Sequence, residues 1–238
     1  MDTKNSFCSS LKGRPGKLFL GLTGPLAGGK TAVARRFAEL GALVLSADEL
    51  AAAQLRPGAQ AYRAVVSRYG EKALLPDGTV NRKFLAHKVF ADKGARSWLE
   101  SFIHPAVLAG IWEQARKAKN PLVVAEIPLL FETGSQASFD FVLCVSAPKA
   151  ARLARARTRG WTAAEFQRRE AAQLCPARKC ALSDIVIANN GTRAALHKRA
   201  DALFATLAAL NAAPAKHDCR PAQNRAVACK KRKEQRKK

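Results

Sequence analysis

A chain of 238 residues with 48% hydrophobic residues is long enough for one well-cored domain, and nucleic acid, a membrane surface or a polyanionic substrate would each account for its net charge of +23, much of which is concentrated in the C-terminal tail. No apolar run approaches the roughly 18 residues needed to span a bilayer. The opening MDTKNSFCSSLKGRPGK lacks the apolar stretch of a secretory signal, and Asp2 argues against an organelle transit peptide. Six scattered cysteines with no C-x-x-C pair do not make a disulfide framework, so a reducing, cytoplasmic setting is expected.

In chain order, KLFLGLTG is a short apolar run ending in glycine and reads as a buried strand feeding a loop. KTAVARRFAEL (30–40) reads as a helix, with Val33, Phe37 and Leu40 on one face and Gly41 as its stop. ALVLS (42–46) is a second strand, which makes a βαβ unit with parallel strands. From Ala47 to about Lys119 the pattern is mainly helical, with turns at Pro57–Gly58 and Pro76–Asp77–Gly78. A third strand is expected near 122–126, a fourth in FDFVLCVSA (139–147) and a fifth in SDIVIANNG (183–191). A last helix over about 192–210 puts Leu196, Phe204, Leu207 and either Leu203 or Leu210 on one stripe. Strands alternating with helices predict an α/β fold with a five-stranded parallel sheet covered on both faces. From Lys216 the chain carries ten Lys and Arg against Asp218 and Glu234, with almost no large apolar side chain, so a disordered basic tail is expected.

GLTGPLAGGKTAV fits G-x-x-x-x-G-K-[ST] between a strand and a helix, the context of a phosphate-binding P-loop. The stretch expected to contact a nucleotide is Gly24, Pro25, Leu26, Ala27, Gly28, Gly29, Lys30, Thr31 and Ala32. Pro25 has no N–H, but the donors of such a loop come from its later part, here Ala27 to Thr31. Lys30 is expected on the β- and γ-phosphates of ATP, and Thr31 on Mg²⁺. There is no N-K-x-D guanine-reading motif, and the chain is short for a helicase or motor. Asp48, just past the second strand, falls at the carboxyl end of a parallel sheet, where ligands bind. It reads either as the group that orients an attacking hydroxyl or as a helix N-cap.

Four segments, taken together, resemble the dephospho-coenzyme A kinases: the loop with LSADEL, DGTVNRKFLAHKVF with LESFIHP, EIPLLFETG, and the arginine-bearing RTRGWT…AAQ region with SDIVIANNG. They occur in the family's order and span about 21–195. The resemblance implies a P-loop kinase that uses ATP and Mg²⁺ to phosphorylate the 3′-hydroxyl of dephospho-coenzyme A. It implies Asp48, Lys30 and Arg157 as catalytic, with Arg155 as an alternative lid arginine. It places Arg82, His104, Pro128, Leu129 and Leu130 on the substrate, and Asn189 and Gly191 near the adenine. Glu126, at the end of the third strand, is a candidate for Mg²⁺ beside Thr31. The expected division is an N-terminal extension (1–16), a kinase domain (17–210) with a helical substrate insert (47–119) and a lid (152–170), and the tail (211–238).

Three positions depart from the family's pattern: Ser46 replaces an aspartate, one loop glycine is shifted from position 27 to 28, and Ala52 stands where many members have arginine. Rival readings are a kinase for another nucleoside or nucleotide, an RNA-associated ATPase using the basic tail, and a ligand-binding pseudo-enzyme. In plainer readings, His104–Pro105 only ends one helix and starts another, and the lid arginines are a solvated face. The three tryptophans are packing residues, and Phe84, Leu85, Val89, Phe90 and Phe102 form the core of the insert.

Overall fold

The computed structural model describes residues 16–212, so the N-terminal extension and nearly all of the expected basic tail lie outside the described residues. Five strands run β1 (Leu18–Thr23), β2 (Leu43–Ser46), β3 (Leu122–Glu126), β4 (Phe141–Ser146) and β5 (Ile185–Ala188). They form one parallel sheet in the order β2-β3-β1-β4-β5. The fifth strand is shorter than the run SDIVIANNG suggested, because residues 189–191 already turn towards the next helix.

Side chains alternate across the sheet with a period of two. Leu18, Leu20 and Leu22 of β1 face one core with Leu122 and Val124 of β3 and Leu143 and Val145 of β4. Helix α1 (Lys30–Glu39) and helix α9 (Arg193–Ala212) cover that side through Val33, Phe37, Leu196, Ala200 and Leu207. Leu203 packs there and Leu210 is exposed, which settles the stripe of the last helix. Phe19, Val123, Ala125 and Val142 point the other way, against Val107, Ile111 and Trp112 of helix α5 (Lys93–Lys117). The Trp112 ring lies between Phe19 and Phe139. Gly21 is a glycine because an added Cβ would meet Leu130 at 2.7 Å and the Phe139 ring at 2.9 Å. Each fully buried Leu or Phe in these layers contributes roughly 1.5–3 kcal/mol of burial.

The segment between β2 and β3 folds around a core of its own. Helix α2 (Ala47–Ala53) packs on α5, and helices α3 (Gln60–Tyr69) and α4 (Arg82–Ala91) follow. Val65, Ala73, Val80, Leu85 and Leu99 form the small cluster, with Phe84 and Val89 against it. Tyr69, Trp98 and Phe102 stack edge to face on its rim. The Pro76–Asp77–Gly78 turn is present: Leu74 and Val80 bridge across it and the Tyr62 hydroxyl donates to the Gly78 carbonyl at 2.8 Å.

One expectation fails here. His104–Pro105 is not a helix boundary: α5 runs through it for 25 residues. Pro105 removes the N–H that the Ser101 carbonyl would have accepted, but both residues are exposed, so water can serve that carbonyl. After β4 come helix α6 (Lys149–Arg157), helix α7 (Ala163–Ala171) and helix α8 (Pro176–Leu182). Among the described residues, no helix is long and apolar enough to cross a membrane.

Candidate active site

The loop between β1 and α1 is shaped by contacts that exclude side chains. Gly24 has φ 148°, and an added Cβ would strike the Val145 carbonyl of β4. At Gly28 the same addition would meet Val145 O at 2.8 Å and Pro25 O at 2.9 Å. Gly28 N donates to Pro25 O at 3.0 Å, closing the turn. Ala27 takes φ 56°, the one left-handed non-glycine among the described residues. The left-handed position therefore survives the shift of glycine from 27 to 28, at a backbone cost of about 1 kcal/mol.

The carbonyls of this loop are turned outward and bonded. Arg155 donates to Ala27 O at 3.2 Å, Gly28 O at 3.3 Å and Asn189 O at 3.4 Å. Asn189 Nδ2 donates to Gly28 O at 2.9 Å. The amides of Ala27, Gly29, Lys30 and Thr31 find no acceptor among the described residues. Free N–H groups at the start of a ten-residue helix make an anion site. They open into a cavity of about 520 Å³ lined by Lys30, Arg35, Arg155, Arg159 and Arg193, with no acidic side chain on its wall. Asn189, packed directly on the loop at Gly28 and Gly29, and Gly191 also line it.

Lys30 lies back on the loop, donating to Gly24 O at 3.1 Å and Pro25 O at 3.2 Å. Burial lowers its ammonium to about 8; the carboxylates of Glu126 and Asp48 oppose that shift and Lys179 adds to it. It is therefore mostly charged at neutral pH. Thr31 Oγ1 donates to Glu126 Oε1 at 3.0 Å. Glu126 is the last residue of β3, in register with Leu22 of β1 and Ser46 of β2, so the strand ends bring it beside the loop. Among the described residues no three His, Cys, Asp or Glu could hold a metal together. A hydroxyl and a carboxylate, both hard oxygen donors, fit Mg²⁺, which takes most of its ligands from phosphates and water.

Asp48 is the second residue of α2 and does not cap it. Ser46 does, its hydroxyl accepting from Glu49 N at 3.3 Å. The cap reading of Asp48 is thus corrected, and its carboxylate lies near enough to Lys30 for the two charges to interact. What burial it has raises its carboxyl above the usual range, and Lys30 pulls it back.

A family model described as Dephospho-CoA kinase matches residues 18–195. The chain belongs to the dephospho-CoA kinase family. It is 43% identical over 192 residues to the enzyme of that name from Anaeromyxobacter dehalogenans, covering 79% of this chain and 91% of the relative. The Geobacter sulfurreducens dephospho-CoA kinase is 38% identical over 190 residues, covering 78% and 96%. Among solved structures, TT1252 from Thermus thermophilus superposes with a TM-score of 0.71 at 32% identity, covering 80% of this chain and 98% of that one. A dephospho-CoA kinase from Campylobacter jejuni gives 0.62 at 27% identity, covering 81% and 98%.

Two of the expected site side chains lie away from the cavity in this structure. Arg157 is exposed and does not line the cavity; Arg155, two residues earlier and on another face of α6, bonds the loop. Leu130 is fully buried against Gly21, so it anchors the loop after β3 and offers no surface to a ligand. Pro128 and Leu129 of that loop are half-buried. Pro25 is buried and Leu26 half-buried, and neither lines the cavity, whereas Ala32 does. Arg82 is exposed at the start of α4 and His104 half-buried in the middle of α5; no hydrogen bond ties either to the loop.

The sequence reading missed Arg35 and Arg193 on the cavity wall, where Arg159, one of the expected lid arginines, also lies, and it missed Lys179, a buried lysine under the loop after β3. An arginine every few residues gives no signal of which ones face a ligand. Lys179 sits in PARKCAL, where it looks like any surface charge of a helix.

Proposed function

We propose that this kinase transfers the γ-phosphoryl group of ATP to the 3′-hydroxyl of dephospho-coenzyme A, giving coenzyme A. The carrying observation is the convergence of Lys30, Thr31, Glu126 and Asp48 at the carboxyl ends of β1, β3 and β2, beside a cationic cavity that suits a triphosphate.

The free loop amides hold the β-phosphate, and Lys30 leaves the loop carbonyls to bridge the β- and γ-phosphates. Arg155 and Arg159 neutralise charge developing on the transferred group, and the segment 152–170 excludes water above it. Thr31 and Glu126 would hold Mg²⁺, which when bound offsets the charge of the β- and γ-phosphates. Asp48 accepts or orients the proton of the acceptor hydroxyl for in-line attack. Ser46, where the family has a second aspartate, leaves Asp48 as the carboxylate at the end of β2. The adenine lies near Asn189 and Gly191. The insert 47–119, through Arg82 and His104, and the loop at Pro128 and Leu129 receive dephospho-coenzyme A. The cytoplasmic setting expected from the sequence goes with this reading.

An acceptor panel tests it. With Mg·ATP fixed, dephospho-coenzyme A should be phosphorylated with kcat/KM at least about 100-fold above adenosine, AMP or a simple alcohol acceptor. Equal turnover of adenosine or AMP would turn the assignment towards a nucleoside or nucleotide kinase.

A further inference from the structure

Lys179 has no exposed surface, yet the reaction above does not use it. An ammonium has three protons and no acceptor capacity. All three are satisfied: Pro128 O at 2.6 Å, Glu132 Oε1 at 3.0 Å and Gln173 Oε1 at 3.3 Å. Burying a charge costs several kcal/mol unless it is paired and bonded this fully. Two of the partners are distant in the chain and the third, Gln173, lies six residues away. Pro128 and Glu132 belong to the loop after β3, and Gln173 to the link between α7 and α8. Glu132 Oε1 also accepts from Leu174 N at 2.7 Å. The Pro128 carbonyl takes a second bond from Thr23 Oγ1 at 3.3 Å, and Thr23 is the last residue of β1 before the phosphate loop. One carbonyl is thus held from the phosphate loop's strand on one side and from α8 on the other.

We propose that Lys179 is a positioning residue that fixes residues 128–132 at the acceptor end of the cleft and ties them to the link following the lid helix α7. The functional half rests on the reading of Pro128 and Leu129 as acceptor-facing. A surface lysine could not do this, because water would compete for each bond. A neutral side chain could not hold three acceptors at once.

The test uses the full chain, with Lys179→Met and with Lys179→Met combined with Glu132→Met. The second variant removes both charges, so no unpaired ion stays buried if the single variant fails to fold. Two readouts are taken. Amide hydrogen exchange should lose protection at Thr133, Gly134 and Ser135, whose bonds to Leu129 O, Phe131 O and Leu130 O close the loop. The amides of β1, β3 and β4 should not change. The KM for dephospho-coenzyme A should rise about 10-fold or more, and the KM for ATP should move less than about 3-fold. Unchanged exchange at 133–135 in the folded double variant overturns the positioning role. Unchanged acceptor KM with a loosened loop overturns its link to substrate. A wild type that transfers phosphoryl from ATP to adenosine or AMP as readily as to dephospho-coenzyme A overturns the underlying reading, and the exchange result still decides what Lys179 holds.

Discussion

The sheet side of the cleft and the helical insert are built by different means. At the sheet, Thr31, Glu126 and Lys30 are set by strand register: Glu126 is level with Leu22 and Ser46, and the loop carbonyls are bonded by Arg155 and Asn189. In the insert, Arg82 and His104 ride on helices packed around Val65, Val80, Leu85 and Leu99, a cluster separate from both faces of the sheet. Backbone ladders set the positions at the sheet end, whereas side-chain packing around a small core of its own sets those of the insert. α5 joins the two, with Leu99 in the small core and Ile111 against the sheet.

The contrast can be broken first at the rigid end. Lys30→Ala should lower kcat/KM by about 10³-fold while the protein stays folded, because the ammonium serves the phosphates and only loop carbonyls lose a donor. A loss under about 10-fold would show that the loop amides suffice.

Next, Arg155→Ala should cost about 10²-fold in kcat/KM and Arg157→Ala less than about 2-fold, read in parallel assays. The opposite order would mean that α6 rotates when nucleotide binds.

The soft end is sharpened by Val65→Ala, which empties volume in the small core at a cost of about 2 kcal/mol. Hydrogen exchange should quicken across α3 and α4 and leave β1 and β3 unchanged, with ATP affinity kept. Loss of protection spread evenly through the sheet would show one cooperative core.

The smallest effect concerns the outer helices. Arg36 of α1 bonds Asp201 of α9 at 2.6 Å and 2.9 Å and holds its carboxyl below the usual range. A lowered carboxylate stabilises the fold above its unfolded value, about pH 4, and that gain is lost as pH falls through its folded value. The wild type should therefore exceed Asp201→Asn slightly in urea midpoint at pH 6 and match it near pH 2. A difference that persists at pH 2 would assign the effect to packing.

Much of the sheet side was legible. A glycine-punctuated loop between an apolar run and an amphipathic helix has few other uses, and Glu126 stands where a strand of Leu and Val stops. What could not be read were orientations. Arg155 and Arg157 are about 200° apart around a helix, and only the rotation of α6 decides which one faces the loop. Leu130 lies in an exposed-looking PLLF, yet Gly21 leaves the hole that it fills. Pro105 looked like a helix start because proline favours one, but the packing of α5 across two cores outweighs one missing hydrogen bond. Lys179 is invisible for a related reason: two of its three acceptors, Pro128 O and Glu132 Oε1, come from a loop about 50 residues earlier in the chain.

The most direct measurement is coenzyme A formation from Mg·ATP and dephospho-coenzyme A, followed by mass spectrometry, in the wild type and Asp48→Asn. The expected result is product from the wild type, with the rate in Asp48→Asn lower by about 10²–10⁴-fold and ATP affinity unchanged. Folded wild-type protein that binds ATP and forms no coenzyme A would contradict the assignment, and an Asp48→Asn variant as fast as the wild type would remove Asp48 from the chemistry.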